Sequence, residues 1–278
     1  MSEQSGRKRL QIHSVQEDQF KTMIDTLVVE EPLEIRVDQQ SASLAVTMRT
    51  PGDDFDLVVG FLYNEGILQR RSDLISLRYC GDAKSAGSKN QNIISVNLAG
   101  NTEIDFTKLQ RHFFMSSSCG VCGKASISSL RQRGARSVVA SLKLDASVLY
   151  GLPERLRSAQ KNFAATGGLH AAALFDSQGM LLRVREDIGR HNALDKLIGA
   201  LLLAEELPLR DSIIMISGRA SFEVMQKCIM AGAPMLCAVS APSSLAVSMA
   251  EAFGVTLVGF LREHRFNLYA GSGRVLLP

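Results

Sequence analysis

The run Ser116-Ser117-Ser118-Cys119-Gly120-Val121-Cys122-Gly123-Lys124 places two thiols three positions apart among small residues. Glycine reaches backbone conformations that other residues avoid, so this composition predicts an exposed, mobile loop rather than core. Cysteine reacts and ligates as the thiolate, which nearby cations and unpaired backbone amides stabilise. Lys124 supplies the cation, and a helix starting near Ala125 would point its amides back at the loop. Three chemistries use such a pair: metal ligation, dithiol–disulfide exchange, and carriage of sulfur as a persulfide. Two small residues in a tight turn are the competing reading.

Zinc needs three or four ligands. There is no second Cys-x-x-Cys, and His13, His112, His170, His191 and His264 are scattered. The zinc deaminase signature, His-x-Glu followed by Pro-Cys-x-x-Cys, is broken twice. Ala171 and Ala172 follow His170, and Ser118 precedes Cys119. No structural zinc is expected, and a structural role for His170 stays open. A thioredoxin-like pair would sit where a strand feeds a helix at the start of a βαβ unit; here it follows an α+β stretch, and a swinging loop suits a carrier that meets two partners. Cys228, in a helical pattern, and Cys237, in an apolar run, read as buried packing residues. Cys80 ends a strand and could go either way.

The elements that would position a ligand lie further along the chain. Strand Ile213–Ile216 precedes a helix from Ser221, strand Met235–Val239 a helix from Ser243, and strand Thr256–Phe260 comes last. Strands alternating with helices predict parallel pairing in a layered α/β sheet, and such sheets bind ligands at the carboxyl ends of their strands. Those ends carry Ser217-Gly218-Arg219-Ala220-Ser221, Ser240-Ala241-Pro242-Ser243-Ser244 and Leu261-Arg262-Glu263-His264-Arg265. Two of these loops open helices with serine, where free amides attract anions, and the arginines add forked donors. The edge reads as a site for a phosphorylated ligand, against a competing reading of ordinary caps and solvated arginines. No Gly-x-x-x-x-Gly-Lys-Ser/Thr run is present, which disfavours a P-loop hydrolase.

Upstream, Leu33, Ile35 and Val37 alternate with polar residues, as do Leu44, Val46 and Met48, with Asp38–Ser41 between them. The pattern predicts a hairpin. Asp53-Asp54 offers a cap for a helix carrying Phe55, Val58, Val59 and Leu62, which Gly66 would end. Strands near Ile75–Tyr79 and Ile93–Leu98, a helix around Phe106–Met115 and another over Pro153–Asn162 complete the reading. The expected division is a polar tail or edge element over 1–25, an α+β unit over 26–115, the mobile loop 116–124, and an α/β unit over 125–278.

Composition bounds the rest. Of 278 residues, 46% are hydrophobic and 21% charged, ordinary for a soluble globular chain. A formal charge of +3 is too small to make nucleic acid the main partner. The first residues lack the apolar stretch of a secretory signal. No run approaches the roughly twenty apolar residues of a membrane span. Five cysteines make a sparse, odd set that argues against a disulfide framework and for the cytoplasm.

Four motifs occur in series: Cys119-Gly120-Val121-Cys122-Gly123-Lys124, Gly167-Gly168-Leu169-His170-Ala171-Ala172, Glu186-Asp187-Ile188-Gly189-Arg190-His191-Asn192-Ala193-Leu194-Asp195-Lys196, and Ser217-Gly218-Arg219-Ala220-Ser221. Together they closely resemble the formate dehydrogenase accessory sulfurtransferases, the FdhD family, from about Glu31 to Tyr269. The resemblance implies a cytidine-deaminase-like carboxyl-terminal domain beside a smaller α+β one, and a homodimer. It implies a cytoplasmic sulfur carrier that accepts sulfur from a cysteine desulfurase and passes it to the molybdenum cofactor of formate dehydrogenase, a bis(molybdopterin guanine dinucleotide) for which guanine nucleotides can stand in. Cys119 would hold the persulfide and Cys122 assist. The segment Phe260, Leu261, Arg262, Glu263, His264 and Arg265 matches the family's cofactor-binding stretch, although Glu263-His264 stands where members often have a glycine-containing turn. Ser217, Gly218, Arg219 and Ser221, with His170 and His191, complete the expected site. The alternatives are a dithiol–disulfide oxidoreductase and a cofactor-binding chaperone whose thiols are incidental.

Overall fold

The computed structural model describes residues 6–38, 42–80, 91–100, 127–128, 130–131 and 134–277. Cys119, Cys122 and His112, the loop 116–124, the expected helix around Phe106–Met115 and the helix start near Ala125 lie outside the described residues. So do residues 39–41 of the expected hairpin turn.

The chain opens with β1 (Arg7–Gln16) and β2 (Gln19–Val28), paired antiparallel as a two-stranded hairpin. This segment was expected as a tail or an edge element. Its apolar residues fall on both faces of the ribbon, so they give no single-face alternation in the sequence. β3 (Glu31–Val37), β4 (Ala42–Arg49), β5 (Leu74–Tyr79) and β6 (Ile93–Leu98) form a second sheet in the order β4-β3-β6-β5. Strand side chains alternate between faces, so Leu33, Ile35 and Val37 go inward to full burial while Glu34 and Arg36 face outward as an ion pair. Each fully buried aliphatic side chain contributes about 1.5–3 kcal/mol. Between β4 and β5 runs α1 (Asp54–Asn64), ending before Gly66, which takes a positive φ of 77°. Asp53 occupies the cap position with φ 53° and makes no side-chain cap bond. The neighbouring Asp54 carboxylate instead takes the buried Arg49 guanidinium at 2.9 and 3.1 Å and the Gly52 N–H at 3.2 Å.

The larger sheet has the order β13-β12-β11-β10-β8-β9. Its centre is parallel, β10 (Ser212–Ile216) to β11 (Met235–Ala238) to β12 (Thr256–Arg262). Antiparallel strands flank it: β8 (His170–Asp176) and β9 (Leu181–Asp187) on one side, β13 (Arg265–Ala270) on the other. A small parallel pair, β7 (Leu144–Asp145) with β14 (Val275–Leu276), stands apart. The helix expected over Pro153–Asn162 is two: after α2 (Ala146–Tyr150) come α3 (Leu152–Ala159) and α4 (Lys161–Thr166). Buried Gln160 breaks them with ψ 71°, which no helix continues through.

One sheet face packs on α2, α3 and β7, with Ala171, Ala173, Phe175, Met215, Cys237 and Val258 meeting Leu149, Leu152 and Leu156. The other packs on α5 (Arg190–Leu203), α6 (Phe222–Met230) and α7 (Ser244–Phe253). That second core is continuous with the smaller sheet, since Leu33, Ile94 and Leu62 belong to the same cluster as Leu197, Ile214 and Met249. α5 is buried from Ala193 to Leu202 because α1 covers its outer side. Among the described residues no helix is long and apolar enough to cross a membrane.

Candidate functional site

Parallel β10, β11 and β12 end at one edge of the sheet, and backbone bonds lace their loops together. Gly218 O accepts the Ser240 N–H at 3.3 Å, Ala241 O the Ala220 N–H at 3.2 Å, and Ser240 O the Phe260 N–H at 3.2 Å. The segments Ser217–Ser221, Ser240–Ser243 and Phe260 onward therefore form one rim. β8 starts at this rim and β9 ends there, because both run antiparallel to their neighbours. Ser217 N–H donates to Ala171 O at 3.0 Å, and Ala171 N–H donates to the Ser217 hydroxyl at 2.9 Å. His170 and the end of β9 thus join the same edge.

The expected rim residues take the following places, while Cys119 and Cys122 lie outside the described residues. Ser221 caps α6, its hydroxyl accepting the Val224 N–H at 3.5 Å and donating to Glu223 Oε2 at 2.9 Å. Ser243 caps α7 in the same way, accepting the Ala246 N–H at 3.2 Å. Arg219, Glu263, His264 and Arg265 are exposed. Arg262 is exposed but its guanidinium donates to Val239 O at 2.5 Å and Leu261 O at 2.9 Å, so it ties the strand ends together. The Leu261 side chain is fully buried in the lower core, which leaves only its backbone for the site. Glu263 and His264 form the tight turn between Arg262 and Arg265, which pair across it. Phe260 takes a left-handed φ of 51°, a conformation that costs an L-residue energy, and its side chain is exposed at the rim.

The histidines meet on the β8 side. A side chain at Gly218 would begin 3.6 Å from His170 Nδ1. His191 Nε2 lies 3.6 Å from Glu223 Oε2. Burial, with help from Lys227 and Arg190, pushes His191 down to about 4, so its imidazole is neutral at pH 7. Burial and Arg190 also lower His170. His191 Nε2 and Arg190 Nε are buried without a hydrogen-bond partner among the described residues. Such atoms are costly to leave unpaired, and they are what a polar ligand would satisfy. Arg190, Glu223 and Lys227 were not singled out as site residues. The signal for them lay in helix geometry: Arg190 and Glu223 sit in the first turns of α5 and α6, which both start at the rim.

Beneath the site a buried polar clasp fixes α5. Asp187 Oδ2 pairs with Lys196 Nζ at 2.8 Å and accepts the Thr50 N–H at 3.1 Å; Asp187 Oδ1 accepts from Gly189 N at 2.8 Å and Asn192 Nδ2 at 3.1 Å. Lys196 also donates to Thr50 O at 2.8 Å, and Asn192 to Met48 O at 2.7 Å. The long motif from Glu186 to Lys196 therefore joins the smaller sheet to this rim. Cys228 and Cys237 are buried free thiols, raised by burial, and Cys80 is a half-exposed free thiol. No cluster of metal-ligating side chains occurs among the described residues.

Comparison with known proteins agrees with this architecture. The model of the FdhD/NarQ family matches residues 28–276. Sulfur carrier protein FdhD of Mycolicibacterium paratuberculosis is 54% identical, covering 90% of this chain and 92% of its own. Those of Streptomyces coelicolor and Sulfurisphaera tokodaii are 50% and 40% identical, each over 97% of this chain and over 96% and 99% of their own. A formate dehydrogenase accessory protein from Desulfotalea psychrophila has the same fold, with a TM-score of 0.75 at 21% identity over 98% of this chain and 100% of its own.

Proposed function

The chain belongs to the FdhD/NarQ family, and on that premise we propose that it is a sulfur carrier for formate dehydrogenase maturation. The Cys119 thiolate attacks the outer sulfur of a cysteine desulfurase persulfide. A new S–S bond forms on Cys119, the desulfurase S–S bond breaks, and its electron pair leaves on the desulfurase cysteine. Thiolate, not thiol, is the attacking form, and Lys124 is the sequence neighbour that favours it. Cys122 assists by resolving or steadying the persulfide. A persulfide is more acidic than a thiol, so it is ready as a soft ligand for molybdenum. The substrate that receives the sulfur is the molybdenum cofactor, a bis(molybdopterin guanine dinucleotide), whose phosphates suit the rim of Arg219 and Arg265 beside the amides opening α6 and α7. No structural zinc is part of this reading. The reducing cytoplasm suits a carrier that depends on free thiols.

The observation that carries the reading is the family match over residues 28–276, which spans the Cys119–Cys122 pair. We read the larger sheet with α5, α6 and α7 as cytidine-deaminase-like; the parallel centre and antiparallel β8–β9 pair support this. Mass spectrometry after incubation with a desulfurase and cysteine tests the chemistry. One sulfur added on Cys119 is expected, and Cys119→Ala should abolish formate dehydrogenase activation. Full maturation with that variant would overturn the proposal; an intramolecular disulfide with no added sulfur would favour an oxidoreductase instead.

A further inference from the structure

α5 and α6 begin side by side at the rim, which brings His191 Nε2 to 3.6 Å from Glu223 Oε2. Arg190 Nε is buried there and makes no hydrogen bond among the described residues. Burial lowers His170 and His191, and the Arg190 cation adds to both effects. Burial would raise Glu223, but the Ser221 hydroxyl, its own backbone N–H and Arg190 outweigh it and hold the carboxyl below its usual range. Lys227 is engaged elsewhere. It donates to both carboxylate oxygens of buried Asp195, which also accepts from Asn64 Nδ2 at 2.6 Å.

The cluster therefore offers one buried, unpaired guanidinium N–H and one ionised, half-exposed carboxylate. An ionised carboxylate has about four acceptor sites, so the Ser221 hydroxyl and the Glu223 N–H leave room for two more donors. A simple anion would suit Arg190 and be repelled by Glu223; a simple cation would do the reverse. A ligand that suits both presents an acceptor beside two donors on one uncharged, planar edge. The 2-amino-4-oxopyrimidine ring does so, with a carbonyl oxygen, a ring N–H and an exocyclic amine in a row. Guanine and pterin both contain that ring. Adenine lacks the carbonyl, and hypoxanthine lacks the amine.

We propose that Glu223 and Arg190 read this shared edge and so select guanine or pterin rings at the rim. The Glu223 carboxylate accepts from the ring N–H and the exocyclic amine, while Arg190 Nε donates to the carbonyl oxygen. Because His191 is neutral at pH 7, it does not tie up Glu223 in an ion pair. β8 lies three strands from β12, roughly 14 Å at about 4.8 Å per strand. Phosphates at Arg265 and a ring edge at Arg190 therefore occupy different stretches of the rim. The inference deepens the sulfur-carrier reading and rests on it for the rim as the seat of the cofactor.

Calorimetric titration of the full chain tests it with two pairs of probes: GDP against IDP, and pterin against pteridin-4-one. The second member of each pair lacks only the exocyclic amine. Wild type should prefer the amine-bearing member of at least one pair by roughly ten- to a hundredfold, the worth of one hydrogen bond to a charged group. The pair that shows the preference identifies the source of the edge. Glu223→Gln keeps an acceptor for Ser221 but sets an amide where a second acceptor is needed, so it should abolish the preference. Arg190→Met should weaken both members alike, since both keep the carbonyl. Thermal melts confirm that each variant is folded. Equal affinities within both pairs in wild type, or a preference that survives Glu223→Gln, would overturn the proposal. Pyrophosphate has no ring and separates the two failures. Bound by wild type and weakened by Arg219→Ala while neither pair is discriminated, it would overturn this inference and leave the rim reading standing; unbound, with neither pair discriminated, it would overturn both.

Discussion

Gly60 and Gly199 meet backbone to backbone where α1 crosses α5. A Cβ on Gly60 would lie 1.9 Å from the Asp195 carbonyl oxygen, and one on Gly199 1.9 Å from that of Asp56. The crossing joins the smaller sheet to the larger one, so its closeness sets how the two halves share a core. Alanine in a helix is intrinsically better than glycine by about 1 kcal/mol. Overpacking costs about 1–3 kcal/mol when side chains can yield, and here the obstacle is rigid backbone. Overpacking should win: Gly60→Ala and Gly199→Ala should each lose about 2 kcal/mol or more in urea unfolding, whereas Gly273→Ala, with nothing within 4 Å, should not change the midpoint.

The Asp187–Lys196 pair should behave as a buried clasp. Their side chains are 0% and 2% exposed, so removing one partner strands the other charge without water. Lys196→Met should cost about 3–5 kcal/mol, and Asp187→Asn/Lys196→Met should recover part of that loss. Arg78→Ala, which removes an exposed pair with Asp38, should leave the melting midpoint unchanged. Equal losses in the buried and exposed cases would refute this view of the clasp.

Much of the larger sheet was legible because its central strands are short apolar runs, two of them followed by a serine that caps the next helix. Ser212–Ile216 before Ser221, expected from Ile213, and Met235–Ala238 before Ser243, expected to Val239, are the plainest cases. The burial of Cys228 and Cys237 showed itself through their apolar neighbours. What remained hidden is carried by contacts far apart in the chain. Nothing local in Gly60 or Gly199 distinguishes a close crossing from an ordinary helix glycine. The Glu186–Lys196 motif looks like a ligand site, yet Asp187, Asn192 and Lys196 spend their polar groups on Thr50 and Met48, more than 130 residues away. The site was half legible: serines and arginines at strand ends announced the rim, while the approach of His191 to Glu223 depends on two helices starting side by side.

The neutral His191 makes stability fall in mild acid. Its folded value is about 4 against an ordinary 6.5, so the unfolded chain takes up a proton first as pH drops. The stability it contributes is full above pH 6.5 and is lost progressively as pH falls through 4. His170, shifted in the same direction, adds to the effect. Urea midpoints measured between pH 7.5 and pH 4 should fall more steeply in wild type than in His191→Gln. Parallel slopes would mean that His191 takes up its proton in the folded protein as readily as in the unfolded chain.

The rim can be separated from the fold by substitutions that touch only one of them. Arg219 and Arg265 are exposed, so their loss should leave stability intact. If they hold a diphosphate, each loss removes a charge-assisted contact of about 1.5–3 kcal/mol, or roughly ten- to a hundredfold in GDP affinity. Gly218→Ala is the sharper probe. Its new Cβ would stand 3.6 Å from His170 Nδ1, ordinary contact distance, so the protein should fold normally while the cleft between His170 and the rim narrows. Arg262→Ala should differ from all three, because its guanidinium holds Val239 O and Leu261 O; it should lower the melting midpoint as well as the affinity. Calorimetric titration of GDP beside thermal melts would sort the four variants. Unchanged affinity in Arg219→Ala, Arg265→Ala and Gly218→Ala together would place the nucleotide elsewhere on the protein, while persulfuration of Cys119 in all four would show that sulfur acceptance is independent of the rim.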